Sequence, residues 1–289
     1  MASIPTTTVR VLTTITEVRT AMQAAHAAGE TVGLVPTMGA LHEGHLRLVD
    51  AALAECDQVV VSIFVNPTQF GPGEDEDRYP RTLQRDCTLL ADRGSPLVFA
   101  PSATEIYRPE HDTYVEVGEV ASVFEGAMRP GHFRGVATVV LKLFNIIPAH
   151  RAYFGRKDYQ QTLVVQQMVR DFNLPVEVVL CPTVREPDGL AMSSRNAYLS
   201  PAERRQANAI FRSLQLTEEL YRAGEIEVST LEMKMRNCLK DADIRNIDYI
   251  AFVAAGTVTP VDKISGPTVV ALAARIGQTR LIDNHLITP

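Results

Sequence analysis

Short apolar runs and amphipathic helical stretches alternate along the first 180 or so residues of the chain. The predicted strands are "TVGLVPT", "QVVVSIFVNP", "PLVFAPS", "RAYFG" and "VEVVLC". The spacing of apolar residues between them predicts helices at 15–28, 45–57, 82–94, 135–147 and 158–172. Nearly continuous apolar strands that alternate with helices favour an α/β unit, with a parallel sheet covered on both faces.

The pattern changes after about residue 183. A polar stretch, "REPDGLAMSSRNAYLSPAERR", leads into a helix that Ser200 is expected to cap, with Pro201 at its first position. Further patterns predict helices near 201–223 and 229–240, then strands near 247–254, 268–274 and 279–283. We therefore expect two domains, 1–183 and 184–289, of which the second is a smaller α+β unit.

Composition narrows the class of protein. With 46% hydrophobic residues in 289, the chain can bury a substantial core, and a formal net charge of −6 argues against a broad nucleic-acid surface. Four scattered cysteines form no CxxC pair, and neither a signal-peptide pattern nor a membrane-spanning apolar run is visible. A reduced, soluble, cytoplasmic protein is expected. The acidic stretch at 71–80 is interpreted as a solvated loop rather than a metal site.

The segment "PTMGALHEGHL" (36–46) places two histidines at a predicted junction of strand and helix. Pro36 is expected to end the strand, and a helix is expected to begin near Glu43 or Gly44. His42 and His45 then lie at the carboxyl edge of a sheet, which is the favoured ligand crevice of open α/β folds. The helix N-terminus beside them offers free N–H groups and a partial positive charge, which suit phosphate.

Other interpretations of this segment compete. Zinc-protease helices carry H-E-x-x-H, whereas this spacing is H-E-G-H and Gly44 weakens the helix, so zinc is disfavoured. Gly44 instead leaves room for an adenine ring or a ribose. A pair of histidines that only cap the helix remains an open alternative for the tetrapeptide alone.

A second segment, "AMSSRN" (191–196), follows the last strand of the first unit. Its two hydroxyls and its guanidinium can grip phosphate oxygens and neutralise charge on a leaving pyrophosphate. Alone, it could be an ordinary helix-entry loop. Together with the H-x-G-H segment, it is similar to the two-part nucleotide site of the HIGH/KMSKS nucleotidyltransferase superfamily.

Five segments complete the pattern: "VPTMGALHEGH", "VSIFVNPTQF", "RPGHFRGVATVV", "FGRKDYQQ" and "DGLAMSSRNAYL". In this order and spacing they closely resemble the pantothenate synthetase (pantoate-β-alanine ligase) family over nearly the whole chain. The resemblance implies a Rossmann-like N-terminal domain, a smaller C-terminal domain that closes over the site, and a homodimer. One departure is Arg156, where the family usually has glutamate; we expect this side chain to face the surface beside the site.

The resemblance also implies a reaction of pantothenate and coenzyme A biosynthesis. ATP and pantoate give pantoyl adenylate and pyrophosphate, and β-alanine then displaces AMP; Mg²⁺ is the expected ion. Because this chemistry brings two anions together, positive groups and N–H donors should converge on the site. The catalytic residues implied by the resemblance are His42, His45, Lys157, Ser193, Ser194 and Arg195. Further ATP contacts are expected from Met38, Gly44, Gly155, Asp158, Val184 and Met192.

Pantoate is assigned to Pro36, Met38, Gln69 and Gln161. The two glutamines can both donate and accept hydrogen bonds, which suits hydroxyls and a carboxylate. Further pocket candidates are Asn66, Tyr79, Arg129 and His132, and Asp86 and Asp158 are candidates for magnesium or ribose. From the sequence alone, a turn role for Asn66, solvated side chains at Arg129 and His132, and a solvated helix carboxylate at Asp86 stay open. The loop that ends at Tyr79 is a candidate gate over the pocket.

Rival functions remain within the superfamily and outside it. A cytidylyl- or adenylyltransferase that acts on a phosphate should have lysine or arginine in place of Gln69 and Gln161. An aminoacyl-tRNA synthetase should have a basic RNA-binding appendage, which the acidic chain lacks. A non-catalytic nucleotide-binding protein is disfavoured by the intact histidines, Lys157 and Arg195.

Overall fold

In the computed structural model, which describes residues 9–94 and 96–289, the first unit is built from strands that alternate with helices. Its elements are β1 (Val11–Leu12), α1 (Ile15–Ala27), β2 (Val32–Thr37), α2 (Glu43–Glu55), β3 (Gln58–Ile63), α3 (Leu83–Ala91), β4 (Leu97–Phe99), α4 (Ala103–Ile106), α5 (Glu125–Met128), α6 (His132–Ile146), β5 (Arg151–Gly155), α7 (Tyr159–Asp171) and β6 (Glu177–Cys181). The prediction of alternating strands and helices is confirmed. The first eight residues of the predicted first domain lie outside the described residues.

These six strands form one parallel sheet in the order β1-β4-β3-β2-β5-β6. The chain runs outward from β2 to β4 on one side and then crosses to β5 on the other, so the order reverses between β2 and β5. β2 pairs with β3 along its whole length but with β5 only at Gly33 and Leu34. The two strands therefore part at their carboxyl ends, where a sheet of this kind binds its ligand.

The prediction that Pro36 ends β2 is wrong, because Thr37 still pairs with Ile63 of β3. Successive residues of a parallel strand direct their N–H and C=O groups to opposite neighbours. The Thr37 carbonyl accepts a hydrogen bond from the Phe64 N–H on the β3 side, so Pro36 faces β5, whose pairing has stopped at Leu34. The missing N–H of Pro36 breaks no hydrogen bond of the sheet, and the strand continues.

The second unit contains α8 (Pro201–Arg222), α9 (Val228–Asp241) and an antiparallel sheet in the order β7-β8-β9. Its strands are β7 (Asn246–Ala254), β8 (Thr268–Ile276) and β9 (Thr279–Ile287). Ser200 caps α8 with a capping box and Pro201 is the first helical residue, as the sequence predicts. The two helices and the sheet bury a core of their own around Ile210, Leu231 and Leu272. The prediction of a smaller α+β unit is confirmed.

Three short elements have no counterpart in the sequence prediction. Strand β1 has two residues, and helices α4 and α5 have four residues each, which is too short to show a hydrophobic period. Helix α6 begins at His132, three residues before the predicted helix, because Gly131 makes the preceding turn with φ of +84°.

Among the described residues, no helix is both long and apolar enough to cross a bilayer.

Candidate active site

A cavity of about 710 Å³ opens where β2 and β5 part, and residues of the second unit form its opposite wall. Every candidate binding or catalytic residue predicted from the sequence lines this cavity, with the exception of Asp86. The predicted convergence of the two motif segments is therefore reproduced in the fold. A cavity of this size between two units is typical of small-molecule sites.

His42 and His45 form the floor of the cavity at the start of α2. His42 is the N-cap of this helix, and its Nδ1 accepts a hydrogen bond from the Gly44 N–H at 3.1 Å. In the neutral ring the proton therefore resides on Nε2, which leaves a donor for a ligand. The two imidazoles stack with centroids 4.0 Å apart. A Cβ at Gly44 would lie 2.9 Å from the His42 ring, so only glycine permits this packing.

Both rings are neutral at physiological pH. Burial, with the Lys157 charge nearby, lowers the pKa of His42 to about 4 and the pKa of His45 well below its usual range. The His45 side chain makes no hydrogen bond to any described residue, and its Nδ1 is buried. The histidines therefore offer neutral N–H donors to a ligand, rather than permanent positive charge.

These lowered pKa values predict how acid affects stability. As the pH falls from about 6.5 towards 4, the unfolded chain binds protons at its histidines before the folded chain does, so the free energy of unfolding decreases. We expect His42→Asn to lose less stability than the parent between pH 7 and pH 5 in urea unfolding, because asparagine is a good N-cap and does not titrate. An equal loss in both proteins would contradict the neutral state of His42.

The segment that carries Ser193, Ser194 and Arg195 contacts the segment that carries the histidines. Ser194 Oγ donates to the Ala40 carbonyl at 3.2 Å, across 154 positions of sequence. The Tyr79 hydroxyl donates to Ser194 Oγ at 3.4 Å. Serine hydroxyls, a guanidinium and two imidazoles thus share one end of the cavity, which suits an anion such as a triphosphate.

The acidic loop is not the solvated loop that the sequence suggested. Asp75 accepts two hydrogen bonds from Arg195, at 2.9 and 2.8 Å, and Glu74 accepts two from Arg129, at 2.7 and 2.6 Å. The loop therefore lies over the cavity, and Tyr79 at its end is only 6% exposed. Among the described residues, no group of three histidine, cysteine, aspartate or glutamate side chains is placed to hold a metal ion; that the loop holds no metal stays a prediction.

The two glutamines assigned to pantoate, Gln69 and Gln161, have fewer side-chain hydrogen bonds to the protein than the neighbouring amides Asn66 and Gln160. Gln69 Oε1 accepts from Asn66 Nδ2 at 3.1 Å, while its Nε2 contacts only the Met38 sulfur at 3.0 Å, which is a weak acceptor. Gln161 makes no side-chain hydrogen bond to any described residue. The amide of Gln160, in contrast, is hydrogen-bonded to backbone groups just before and at the start of α5. Gln69 and Gln161 thus keep hydrogen-bonding capacity for a ligand.

Asn66 lines the cavity but has no such capacity. Its Nδ2 donates to Gln69 Oε1 and to the Gly135 carbonyl, and its Oδ1 accepts from Thr68 and Tyr107. Asn66 is therefore a pocket residue by position, and every polar group of its buried amide already has a protein partner, which suits the turn role that the sequence left open.

Asp86 requires the clearest correction. This carboxylate is fully buried in α3, where it accepts the backbone N–H groups of Ala40 and Leu41, each at 2.9 Å. Thr82 Oγ1 also donates to it. Asp86 holds the loop before His42 in place and does not face the cavity, so it is unsuited to bind magnesium or ribose.

Lys157 and Asp158 lie in the short turn that follows β5, which brings them to the cavity from the other side of the crevice. Lys157 Nζ lies 3.5 Å from Asp158 Oδ1. Arg156 is exposed and does not line the cavity, so the prediction of a surface-facing side chain is confirmed.

Several cavity residues of the second unit were not predicted from the sequence. Arg280 on β9 donates to both carboxylate oxygens of Glu125, which also accepts from the Tyr249 hydroxyl. Asn284 donates to the carbonyls of Arg156 and Lys157 at 3.0 and 2.8 Å. These contacts join residues more than 120 positions apart, so no local pattern could have shown them. They fasten the second unit over the cavity.

Comparison with known proteins identifies what this arrangement resembles. The family model described as pantoate-beta-alanine ligase matches residues 10–286. The pantothenate synthetase of Roseiflexus castenholzii is 55% identical over 278 residues, which cover 96% of this chain and 99% of that protein. The pantothenate synthetase of Pelotomaculum thermopropionicum is 50% identical over 277 residues, which cover 96% and 98%.

Solved structures agree with the sequence relatives. A pantothenate synthetase from Thermus thermophilus superposes with a TM-score of 0.92 at 48% identity, over 97% of this chain and 100% of that one. The pantoate-beta-alanine ligase of Francisella tularensis, solved in complex with beta-gamma ATP and beta-alanine, gives a TM-score of 0.81 at 37% identity, over 96% and 97%.

Proposed function

The chain belongs to the pantoate-beta-alanine ligase family, and on that premise we propose how its residues divide the reaction. It is an ATP-dependent ligase that condenses pantoate with β-alanine to pantothenate through pantoyl adenylate, releasing pyrophosphate and AMP. The observation that best supports the residue roles is the hydrogen bond from Ser194 Oγ to the Ala40 carbonyl. It joins the serine-arginine segment to the histidine segment at one end of one cavity.

In the first step the pantoate carboxylate attacks the α-phosphate of ATP. This carboxylate is already ionised at neutral pH, so no general base is required. His42 and His45 donate N–H groups to the phosphoryl oxygens as charge accumulates there. Lys157, Ser193, Ser194 and Arg195 hold the phosphates and the departing pyrophosphate. The remaining ATP contacts are assigned to Met38, Gly44, Gly155, Asp158, Val184 and Met192.

Pantoate is proposed to bind at the other end of the cavity. Gln161 makes no side-chain hydrogen bond to a described residue, and the Gln69 Nε2 contacts only the weakly accepting Met38 sulfur, so both can bond the hydroxyls and carboxylate of pantoate. Neither carries the charge that a phosphate substrate would require. Pro36 and Met38 supply apolar surface for its methyl groups. The two glutamines thus favour a carboxylic acid over the phosphate substrate of a cytidylyl- or adenylyltransferase.

In the second step the amine of β-alanine attacks the acyl carbon of pantoyl adenylate, and AMP leaves. Because an acyl adenylate is sensitive to hydrolysis, the site must exclude water. The loop of Glu74 and Asp75, the buried ring of Tyr79 and the second unit all cover the cavity. We propose that they shield the intermediate until β-alanine arrives.

Magnesium is proposed to bind together with ATP. Mg²⁺ is commonly held by one or two carboxylates together with substrate phosphates, and Asp158 is a half-exposed carboxylate on the cavity wall beside Lys157. The ion would neutralise phosphate charge when bound. Asp86 does not fit, because its oxygens are occupied by backbone N–H groups.

Three further features are proposed from family membership. We propose that two copies of the chain associate as a homodimer, that the enzyme works in the cytoplasm, and that the boundary between its domains lies between residues 183 and 184. The separate core that includes Leu190 and Ile210 supports this boundary. Light scattering after size-exclusion chromatography tests the dimer, since the mass of a single chain would contradict it.

Isotope exchange between pyrophosphate and ATP tests the proposed reaction. Exchange should require pantoate and proceed without β-alanine, because the first step is reversible on the enzyme. Addition of β-alanine should then release AMP in proportion to pantothenate. Exchange without pantoate, or exchange that requires a phosphorylated co-substrate instead, would favour a nucleotidyltransferase.

The pairing of Asp75 with Arg195 predicts a gain in nucleotide affinity. Phosphate oxygens and the Asp75 carboxylate compete for the same guanidinium edge, so Asp75→Asn should lower the Kd of a non-hydrolysable ATP analogue by about three- to tenfold in calorimetric titration. Asp77→Asn is the matched control, because it removes the same charge from an exposed position of the same loop. An equal change in both variants would show that only general electrostatics is involved.

A further inference from the structure

Gln69 lies in a 3-10 turn, Pro67–Gln69, that packs directly against the start of α6. A Cβ at Gly135 of α6 would lie 2.3 Å from the Thr68 carbonyl oxygen and 2.6 Å from the Gln69 nitrogen. Only glycine permits this contact of backbone with backbone. The position of the Gln69 side chain in the cavity therefore depends on how this turn sits on the helix.

His132, the first residue of α6, holds the same turn by a hydrogen bond. Its Nδ1 lies 2.9 Å from the Gln69 carbonyl oxygen, and its Nε2 lies 3.0 Å from Arg129 Nη1. A guanidinium can only donate, so Nε2 is the acceptor and the ring proton is on Nδ1, which donates to Gln69. Both ring nitrogens are thus occupied, and none is left to bond a substrate.

Arg129 is itself held from the loop above the cavity. Glu74 accepts its Nε and Nη2 at 2.7 and 2.6 Å, and this bidentate geometry fixes the plane of the guanidinium. Burial and the nearby Arg129 charge lower the pKa of His132 to about 4, so the ring remains a neutral acceptor at physiological pH. A continuous chain of hydrogen bonds therefore runs from Glu74 through Arg129 and His132 to Gln69.

We infer that His132 is a positioning residue for pantoate, acting through the Gln69 turn rather than by touching the substrate. Glu74 and Arg129 fix its tautomer, and the Nδ1 proton anchors the turn whose amide reaches the acid. This inference rests on the proposed role of Gln69. The solvated alternative that the sequence left open for His132 does not hold, because the side chain is buried in the wall of the cavity.

Three replacements of His132 test the role. Asparagine places its amide nitrogen near the position of Nδ1, glutamine places it near Nε2, and leucine removes both groups. In pyrophosphate exchange, His132→Leu and His132→Gln should raise the KM for pantoate about tenfold, the effect of one hydrogen bond of about 1.4 kcal/mol. His132→Asn should stay within about threefold of the parent, and the KM for ATP should change less than twofold in all three. If the leucine variant does not fold, the asparagine and glutamine pair carries the test.

A double-mutant cycle with Gln69→Ala separates the inference from the proposed function. If His132 acts through Gln69, then His132→Gln should add little to the pantoate KM of Gln69→Ala. Additive effects, or a His132→Asn variant no better than His132→Gln, would overturn the positioning role. A Gln69→Ala variant with an unchanged pantoate KM would instead refute the assignment of Gln69 itself.

Thr138→Val controls for general loosening of α6. Thr138 is buried in the same helix, where it donates to the Arg134 carbonyl and accepts from the Val115 N–H, and it makes no hydrogen bond to the Gln69 turn. This variant should lower the Tm while leaving the pantoate KM within twofold of the parent. A rise in its pantoate KM as large as that of His132→Gln would show that the effect is one of helix stability.

Discussion

Replacement of His45 with alanine is expected to lower the rate of pyrophosphate exchange by about two to three orders of magnitude. Removal of one donor to a charge-accumulating transition state commonly has an effect of this size. His45 makes no side-chain hydrogen bond to the described part of the protein, so the loss cannot be ascribed to a broken internal hydrogen bond. The rate of pyrophosphate exchange at saturating ATP and pantoate measures it.

His42 provides the comparison, because it is also the N-cap of α2. His42→Asn retains a capping side chain and His42→Ala does not, so the pair separates helix stability from catalysis. Both variants should lose rate, while only the alanine variant should lose Tm. A change below about threefold in both His42→Ala and His45→Ala would reduce these residues to a structural role.

Replacement of Arg195 with alanine is expected to have the next largest effect, a loss of about a hundredfold in the rate of exchange. The guanidinium is the positive group of the serine segment and can follow charge onto the departing pyrophosphate. Removal of Arg195 also leaves Asp75 unpaired, with a side chain only 13% exposed, and an unpaired, partly buried carboxylate destabilises the fold. Rate and stability must therefore be measured together.

The double variant Arg195→Ala with Asp75→Asn separates the effect of Arg195 on the rate from its effect on stability. It should recover most of the lost Tm, because the unpaired charge is gone, yet remain about a hundredfold slow. Recovery of the rate in the double variant would contradict a role for Arg195 on the phosphates and assign the loss to the ion pair.

The sequence predicted the elements well wherever they are long enough to show a period. Alternating apolar runs reveal β2, β3, β5 and β6, and the capping signals at Ser200 and Pro201 locate α8. Helices of one turn, such as α5, leave no such pattern. Strand β2 continues through Pro36 because the missing N–H of this residue points towards β5, and β2 no longer pairs with β5 at that position. The pairing of strands that are distant in sequence cannot be predicted from the residues of one strand alone.

The candidate site shows the same division. His42, His45, Lys157 and Arg195 could be chosen because short motifs carry them. The partners of Arg129 and Arg195 could not be chosen, because Glu74 and Asp75 look like solvated acids until the loop folds back over the cavity. Asp86 illustrates the opposite error. It is a lone carboxylate on a predicted helix, and only the folded structure shows that it is buried, bonded to two backbone N–H groups and turned away from the cavity.

A crystal structure with a non-hydrolysable ATP analogue and pantoate tests the central claim most directly. The triphosphate should lie between the H-x-G-H and S-S-R segments, with His45 and Ser194 both within hydrogen-bonding distance of phosphate oxygens and the pantoate carboxylate next to the α-phosphate. A nucleotide bound beside only one of the two segments, or pantoate bound away from Gln69 and Gln161, would contradict the account.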